Sequence, residues 1–167
     1  MNAGVAAALD ATLAALSARF AAAPPRDPWW VIGSAAAVLA GVDGFAPHDV
    51  DVLLSARDAD AFVESQRDTR DTAYVPDDDA RFRSRFARFR FAPMPVEVMG
   101  GLEVFRHGAW QAVEIAEGSR VACAGGGIPV PSLREQLRLF EWFGRDKDLA
   151  KAQRVRAHLA RGEMHAA

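Results

Sequence analysis

The chain has 167 residues, half of them hydrophobic and a quarter charged, with a formal net charge of −2. This is the composition of an ordinary soluble globular protein with room for one respectable core, and the near-zero charge argues against a broad nucleic-acid footprint. A single cysteine, Cys123, excludes an internal disulfide and fits a reducing cytoplasm.

No lysine or arginine precedes Arg19, so the apolar N-terminus lacks the basic start of a signal peptide, and no apolar run is expected to be long enough to span a bilayer. Val5 to Phe20 carries apolar residues at helical spacing, and Pro24-Pro25 ends that helix. Trp29 to Ile32 is a short strand. Gly33-Ser34 breaks it ahead of the small-residue run Ala35 to Ala40, closed by Gly41, so Gly33-Ser34 is a helix start: unpaired backbone N–H groups and the positive end of the dipole make it an anion site. His48 to Leu54 is a second strand in which Val50 and Val52 face the core. Asp49 and Asp51 then share the other face, about 6 to 7 Å apart. Two carboxylates so placed repel each other and call for compensation, which a divalent cation such as Mg²⁺ provides best.

Arg57 to Ser65 is a short helix, and Arg67 to Ala80 a polar loop whose Asp77-Asp78-Asp79 run is solvated. Arg81 to Phe91 alternates arginine with phenylalanine or small residues as a half-buried strand does, with a bulge or turn near Ala87 where the parity shifts. Its arginines face either solvent or a phosphate. Ala92 to Pro95 turns the chain into the strand Val96 to Met99, where Glu97 points away from its two valine neighbours, and Gly100-Gly101 ends it. Glu103 to Phe105 and Trp110 to Ile115 form a hairpin around His107-Gly108. Val121 to Ala124 and Ile128 to Val130 are short strands separated by a Gly125-Gly126-Gly127 turn. Ser132-Leu133-Arg134-Glu135 is a capping box opening a helix that Gly144 closes. Asp148 to Leu159 is the last helix, preceded by Arg145-Asp146-Lys147.

Gly33-Ser34, then Asp49-x-Asp51 in an apolar strand, then an acidic residue in a later strand resembles the nucleotidyltransferase superfamily that includes DNA polymerase beta, and within it the small bacterial proteins related to lincosamide adenylyltransferases and AbiEii-type toxins. The resemblance extends from about Trp29 to Leu159. It implies an α/β fold with a small mixed sheet, helices on one side and a C-terminal helical pair, in one domain: an N-terminal helix over 1–25, the core over 29–130 and C-terminal helices over 131–160. It implies transfer of a nucleotidyl group, in particular adenylyl, from a nucleoside triphosphate to a hydroxyl acceptor. Asp49, Asp51 and, as third carboxylate, Glu97 would be catalytic and hold two Mg²⁺ ions. Gly33, Ser34, Lys147, Arg145 and Arg88 would bind the nucleotide, with Gly144-Arg145-x-Lys147-Asp148 matching a closing motif in which the aspartate is structural. The acceptor is open: a small molecule, a protein hydroxyl or an RNA end. Two other readings remain, an inactive nucleotide-binding or toxin–antitoxin module of the same fold and an RNA-binding protein using the Arg81 to Arg90 strand.

Overall fold

The computed structural model describes residues 3–76, 80–123 and 126–165. Alternating valines build its sheet. In β2 (Val50–Leu54) and the first half of β4 (Val96–Arg106), Val50, Val52, Val96 and Val98 are fully buried on one face, which a side-chain period of two enforces. β2 and β4 run parallel, with Val50 opposite Val96 and Asp51 opposite Glu97. β1 (Trp30–Ile32) pairs antiparallel with β2 and β3 (Phe82–Phe89) antiparallel with β4, giving the order β1-β2-β4-β3, while β5 (Ala109–Ala112) pairs with the far end of β4. β6 (Gly118–Cys123) and β7 (Gly126–Pro131) form a separate antiparallel hairpin; its tip, where the triple-glycine turn was expected, lies partly outside the described residues.

α1 (Ala3–Ala22) lays Leu9, Leu13, Leu16 and Phe20 on the valine face, and α3 (Ala56–Ser65) adds Ala59 and Phe62. The other face carries Ile32, Leu53 and Leu102, which meet Leu139 and Phe143 of α4 (Leu133–Phe143). α5 (Asp146–His165) then packs Ala152 and Val155 against Phe140 of α4 and Ala37 of α2 (Gly33–Leu39). The architecture is the expected α/β fold with a small mixed sheet, and the C-terminal helical pair covers the sheet face that α1 and α3 leave bare.

Several local expectations are corrected. α1 is long and apolar enough, by length and composition, to cross a membrane; here one side of it is core. Gly100-Gly101 does not end a strand, because β4 runs through it. At Gly100 an added Cβ would lie 2.3 Å from Ala59 Cβ, so the glycine is there for α3 to approach. Gly101 has φ +59°, and beside it Arg83 pairs with Glu103 and Arg85 with Gly100, so two steps along β3 match three along β4. The bulge therefore sits on β4 opposite Ser84, not near Ala87, and it swaps which face of β4 each parity serves. The capping box is half formed: Ser132 Oγ accepts from Glu135 N–H at 3.2 Å, but the Glu135 carboxylate turns to Arg138 and the Ala116 N–H. Asp77-Asp78-Asp79 lies outside the described residues.

Candidate active site

The valine alternation that fills the core also decides what the opposite face presents. Asp49, Asp51 and Glu97 all line one cleft of about 610 Å³ between the sheet and the α4–α5 pair. Sheet register sets them in a row: Ile32 at the end of β1 is opposite Asp51, Asp51 is opposite Glu97, and Glu97 is opposite Arg88 of β3. The same-face pair expected from Asp49-x-Asp51, and Glu97 beside it, are thus brought together.

Gly33 begins α2 with φ +69°, and a Cβ there would stand 2.3 Å from Asp51 Oδ2. Glycine is required twice, by the left-handed backbone and by the carboxylate that fills its side-chain space. No side chain caps the helix start. Gly33 lines the cleft; Ser34, half-buried behind it in the same turn, does not.

The cleft sets the three carboxylates against Arg145, Lys147 and Lys151 in its lining. The Asp51 carboxyl is pushed up to about 7, first by burial and then by the charges of Asp49 and Glu97, against which Lys151 and Arg145 pull it down. Glu97 is also raised, by burial and by Asp49. Arg88 and a hydrogen bond from Tyr74 oppose that rise. Arg88 donates to Glu97 Oε1 at 2.7 Å in a pair whose side chains are only 22% and 14% exposed, and its guanidinium lies 4.1 Å over the Tyr74 ring. Arg88, expected on the nucleotide, is therefore placed on the third carboxylate.

Arg145 and Lys147 both line the cleft. Arg145 holds the buried Asp148 at 2.5 and 3.1 Å, the structural part that the closing motif implied for this aspartate, and stacks 4.8 Å over Phe82. α5 starts at Asp146 rather than Asp148, so Lys147 belongs to its first turn. One turn further on, Lys151 lines the same cleft. Lys151 was missed from the sequence; the signal was its i,i+4 spacing from Lys147, hidden by reading Lys147 as lying outside the helix. Of the other arginines in the Arg81 to Arg90 stretch, Arg83 pairs with Glu103 (2.5 Å), Arg85 with Asp60 (2.8 Å) and Arg90 with Asp71 (3.6 Å), and Arg81 donates to the Gly144 carbonyl at 3.5 Å.

Among the described residues no three acidic, histidine or cysteine side chains converge closely enough to form a ready metal cage. The donor type nevertheless fits Mg²⁺, which takes one or two carboxylates and leaves its other positions to water and substrate phosphate.

A mixed sheet with a glycine opening the helix after β1, one aspartate on β2 and another just before it, and a glutamate on its parallel neighbour defines a nucleotidyltransferase-type fold. Comparison with solved structures shows this fold directly. The chain is similar to a candidate nucleotidyltransferase from Thermotoga maritima, TM1012, with 23% identity and a TM-score of 0.68 over 89% of this chain and 91% of that one. It is also similar to the lincosamide antibiotic adenylyltransferase LnuA, solved with lincomycin bound (13% identity, TM-score 0.55, 87% and 94% covered). A third is the antibiotic-resistance factor ANT(2'')-Ia (13% identity, TM-score 0.51, 89% and 83% covered). No protein-family model and no curated protein matches the sequence. The likeness to lincosamide adenylyltransferases is thus borne out at the level of fold, and these neighbours do not speak to AbiEii-type toxins.

Proposed function

We propose that the protein is a Mg²⁺-dependent nucleotidyltransferase that moves a nucleotidyl group, in particular adenylyl, from a nucleoside triphosphate to a hydroxyl acceptor and releases pyrophosphate. The observation that carries this is the row Asp51–Glu97, with Asp49 beside it, facing Lys147 and Lys151 across one cleft. Asp49 and Asp51 would hold the metal and Glu97 would complete it on the acceptor side or take the acceptor proton; two bound Mg²⁺ ions would supply charge neutralisation for the attacking and leaving oxygens. Gly33 and Ser34 offer the first-turn N–H groups of α2, and the Ser34 hydroxyl, to the terminal phosphates. Lys147 and Lys151 supply the full positive charge that a triphosphate beside three carboxylates needs, with Arg145 behind them. Arg88 fixes the orientation of Glu97. The triphosphate is that of the cytoplasm, and the external acceptor is a small molecule, a protein hydroxyl or an RNA end.

One observation favours a second reading, a nucleotide-binding or toxin–antitoxin module without activity: Glu97 is already neutralised by Arg88. Calorimetric titration of each nucleoside triphosphate with and without Mg²⁺ separates the two. Metal-dependent binding, followed by transfer of label from the α-phosphate to a component of a cell extract, is expected of the enzyme. Binding indifferent to Mg²⁺ with no transfer would leave only the module.

A further inference from the structure

Two side-chain hydroxyls line the cleft, Tyr74 and Ser84, and they are placed differently. Ser84 lies along β3 at the bulge. Tyr74 comes from the segment that follows the 3-10 turn Arg67–Thr69, and its hydroxyl donates to the Glu97 carboxylate. Its ring packs 6.0 Å from Phe86 and carries the Arg88 guanidinium 4.1 Å above it, while Arg88 also holds Glu97. The phenol is thus held from three sides, yet Tyr74 remains 38% exposed. A hydroxyl hydrogen-bonded to the carboxylate that serves the attacking oxygen stands where an acceptor has to stand. Glu97 and Asp51 are direct partners on adjacent strands, so the backbone that carries Tyr74's hydrogen-bond partner stands about one strand spacing, roughly 4.8 Å, from the backbone that carries Asp51.

We propose that Tyr74 is itself a nucleotidyl acceptor, so that the protein nucleotidylates its own single tyrosine in the absence of an external substrate. The inference rests on the nucleotidyltransferase reading and deepens it by naming a phenol as acceptor. Tyr74 Oη forms a bond to the α-phosphorus while the bond from that phosphorus to the bridging oxygen of the β-phosphate breaks. Pyrophosphate leaves and the phenolic proton passes to the Glu97 carboxylate; nothing is oxidised or reduced. The Arg88 guanidinium over the ring stabilises the negative charge that gathers on the phenol during attack. The modified side chain fills the acceptor end of the cleft, so the reaction stops after one turnover per chain and blocks transfer to other acceptors.

The test uses the whole chain with Mg²⁺ and each of the four nucleoside triphosphates. Intact-mass spectrometry is expected to show the gain of one nucleoside monophosphate, which peptide sequencing places on Tyr74, the chain's one tyrosine. The first-order rate constant is expected to be unchanged on dilution, because donor site and acceptor share one chain. Tyr74→Phe keeps the ring, its stacking on Phe86 and its contact with Arg88; it is expected to abolish the gain while changing nucleotide affinity less than about twofold, and Ser84→Ala to leave the gain intact. Metal-dependent triphosphate binding with no mass gain, or an equal gain in Tyr74→Phe, overturns this inference and leaves the nucleotidyltransferase reading standing. Absence of triphosphate binding by the wild type overturns both.

Discussion

Asp51→Asn is the substitution whose effect the structure sizes best. The Asp51 carboxyl sits near 7 in the folded chain against 3.8 ordinarily. Between those values the folded protein holds a proton that the unfolded protein has released, so stability falls as pH rises through that window and is level above it. A shift of about three pH units at about 1.4 kcal/mol each amounts to roughly 4 kcal/mol at full desolvation, and asparagine, neutral and isosteric, lacks the whole of it. The variant should match the wild type near pH 4 and exceed it by about 2 to 4 kcal/mol above pH 7, although it loses a ligand of the proposed metal. Urea unfolding of both proteins at intervals from pH 4 to 8 measures this, and taking the difference between the two curves at each pH cancels the titrating groups that do not interact with Asp51; Asp49 and Glu97, which do, contribute to the difference. A difference that does not change with pH would show that the cleft leaves the Asp51 carboxyl at its ordinary value and would undo the argument that burial and the neighbouring carboxylates raise it.

Four further outcomes follow from the same geometry. Gly33→Ala meets both a φ of +69° and the Asp51 carboxylate; the backbone alone costs about 1 to 2 kcal/mol, and thermal melts should show part of the loss recovered in an Asp51→Ala background. Lys147→Ala and Lys151→Ala should each weaken triphosphate binding by about 1.5 to 3 kcal/mol, the range for a charged hydrogen bond, while nucleoside binding and melting temperature stay put; equal loss of nucleoside affinity would point to general damage. Glu97→Gln should cut turnover by about 10² to 10⁴ with little change in nucleotide affinity, and unchanged turnover would remove Glu97 from the site. Asp49→Asn should fold normally, yet calorimetry should find that Mg²⁺ no longer improves its triphosphate binding.

What the sequence conveyed, and what it withheld, divides along physical lines. Asp49, Asp51 and Glu97 were legible because each sits between or beside valines, and the period of two that drives valines inward sends the carboxylates the other way. Gly33 was legible as a break between a strand and a helix, but the tighter reason for glycine there, the Asp51 carboxylate in its side-chain space, depends on two strands coming into register. Gly100-Gly101 misled because glycine in a sequence marks either a strand end or a close approach, and only the position of Ala59 on α3 decides for the approach. Lys151 was hidden by a two-residue error in where α5 begins. Arg88 was placed on the cleft side by alternation, which does not say that Glu97 stands opposite it and takes its hydrogen bond.

That last assignment bears on how the cleft balances its charge. Along the row from β1 to β3 the groups run from an uncapped helix start, through Asp51 and Glu97, to Arg88, so the two ends of the row are positive and the middle is negative. The β3 end is already neutral, because Arg88 and Tyr74 together hold Glu97. The other end holds Asp49 and Asp51; Lys151 and Arg145 act on Asp51, and Lys147 and Lys151 line the cleft from α5, outside the sheet altogether. A helix that packs through Ala152 and Val155 can carry two lysines one turn apart on its cleft side without disturbing its own core contacts. The fold thus separates the two halves of the proposed site. The sheet fixes the carboxylates by register, where a one-residue slip would turn them into the core. The C-terminal helix brings Lys147 and Lys151 from across the cleft, so under the proposed function a change at either lysine is expected to alter nucleotide affinity while the carboxylate row keeps its geometry.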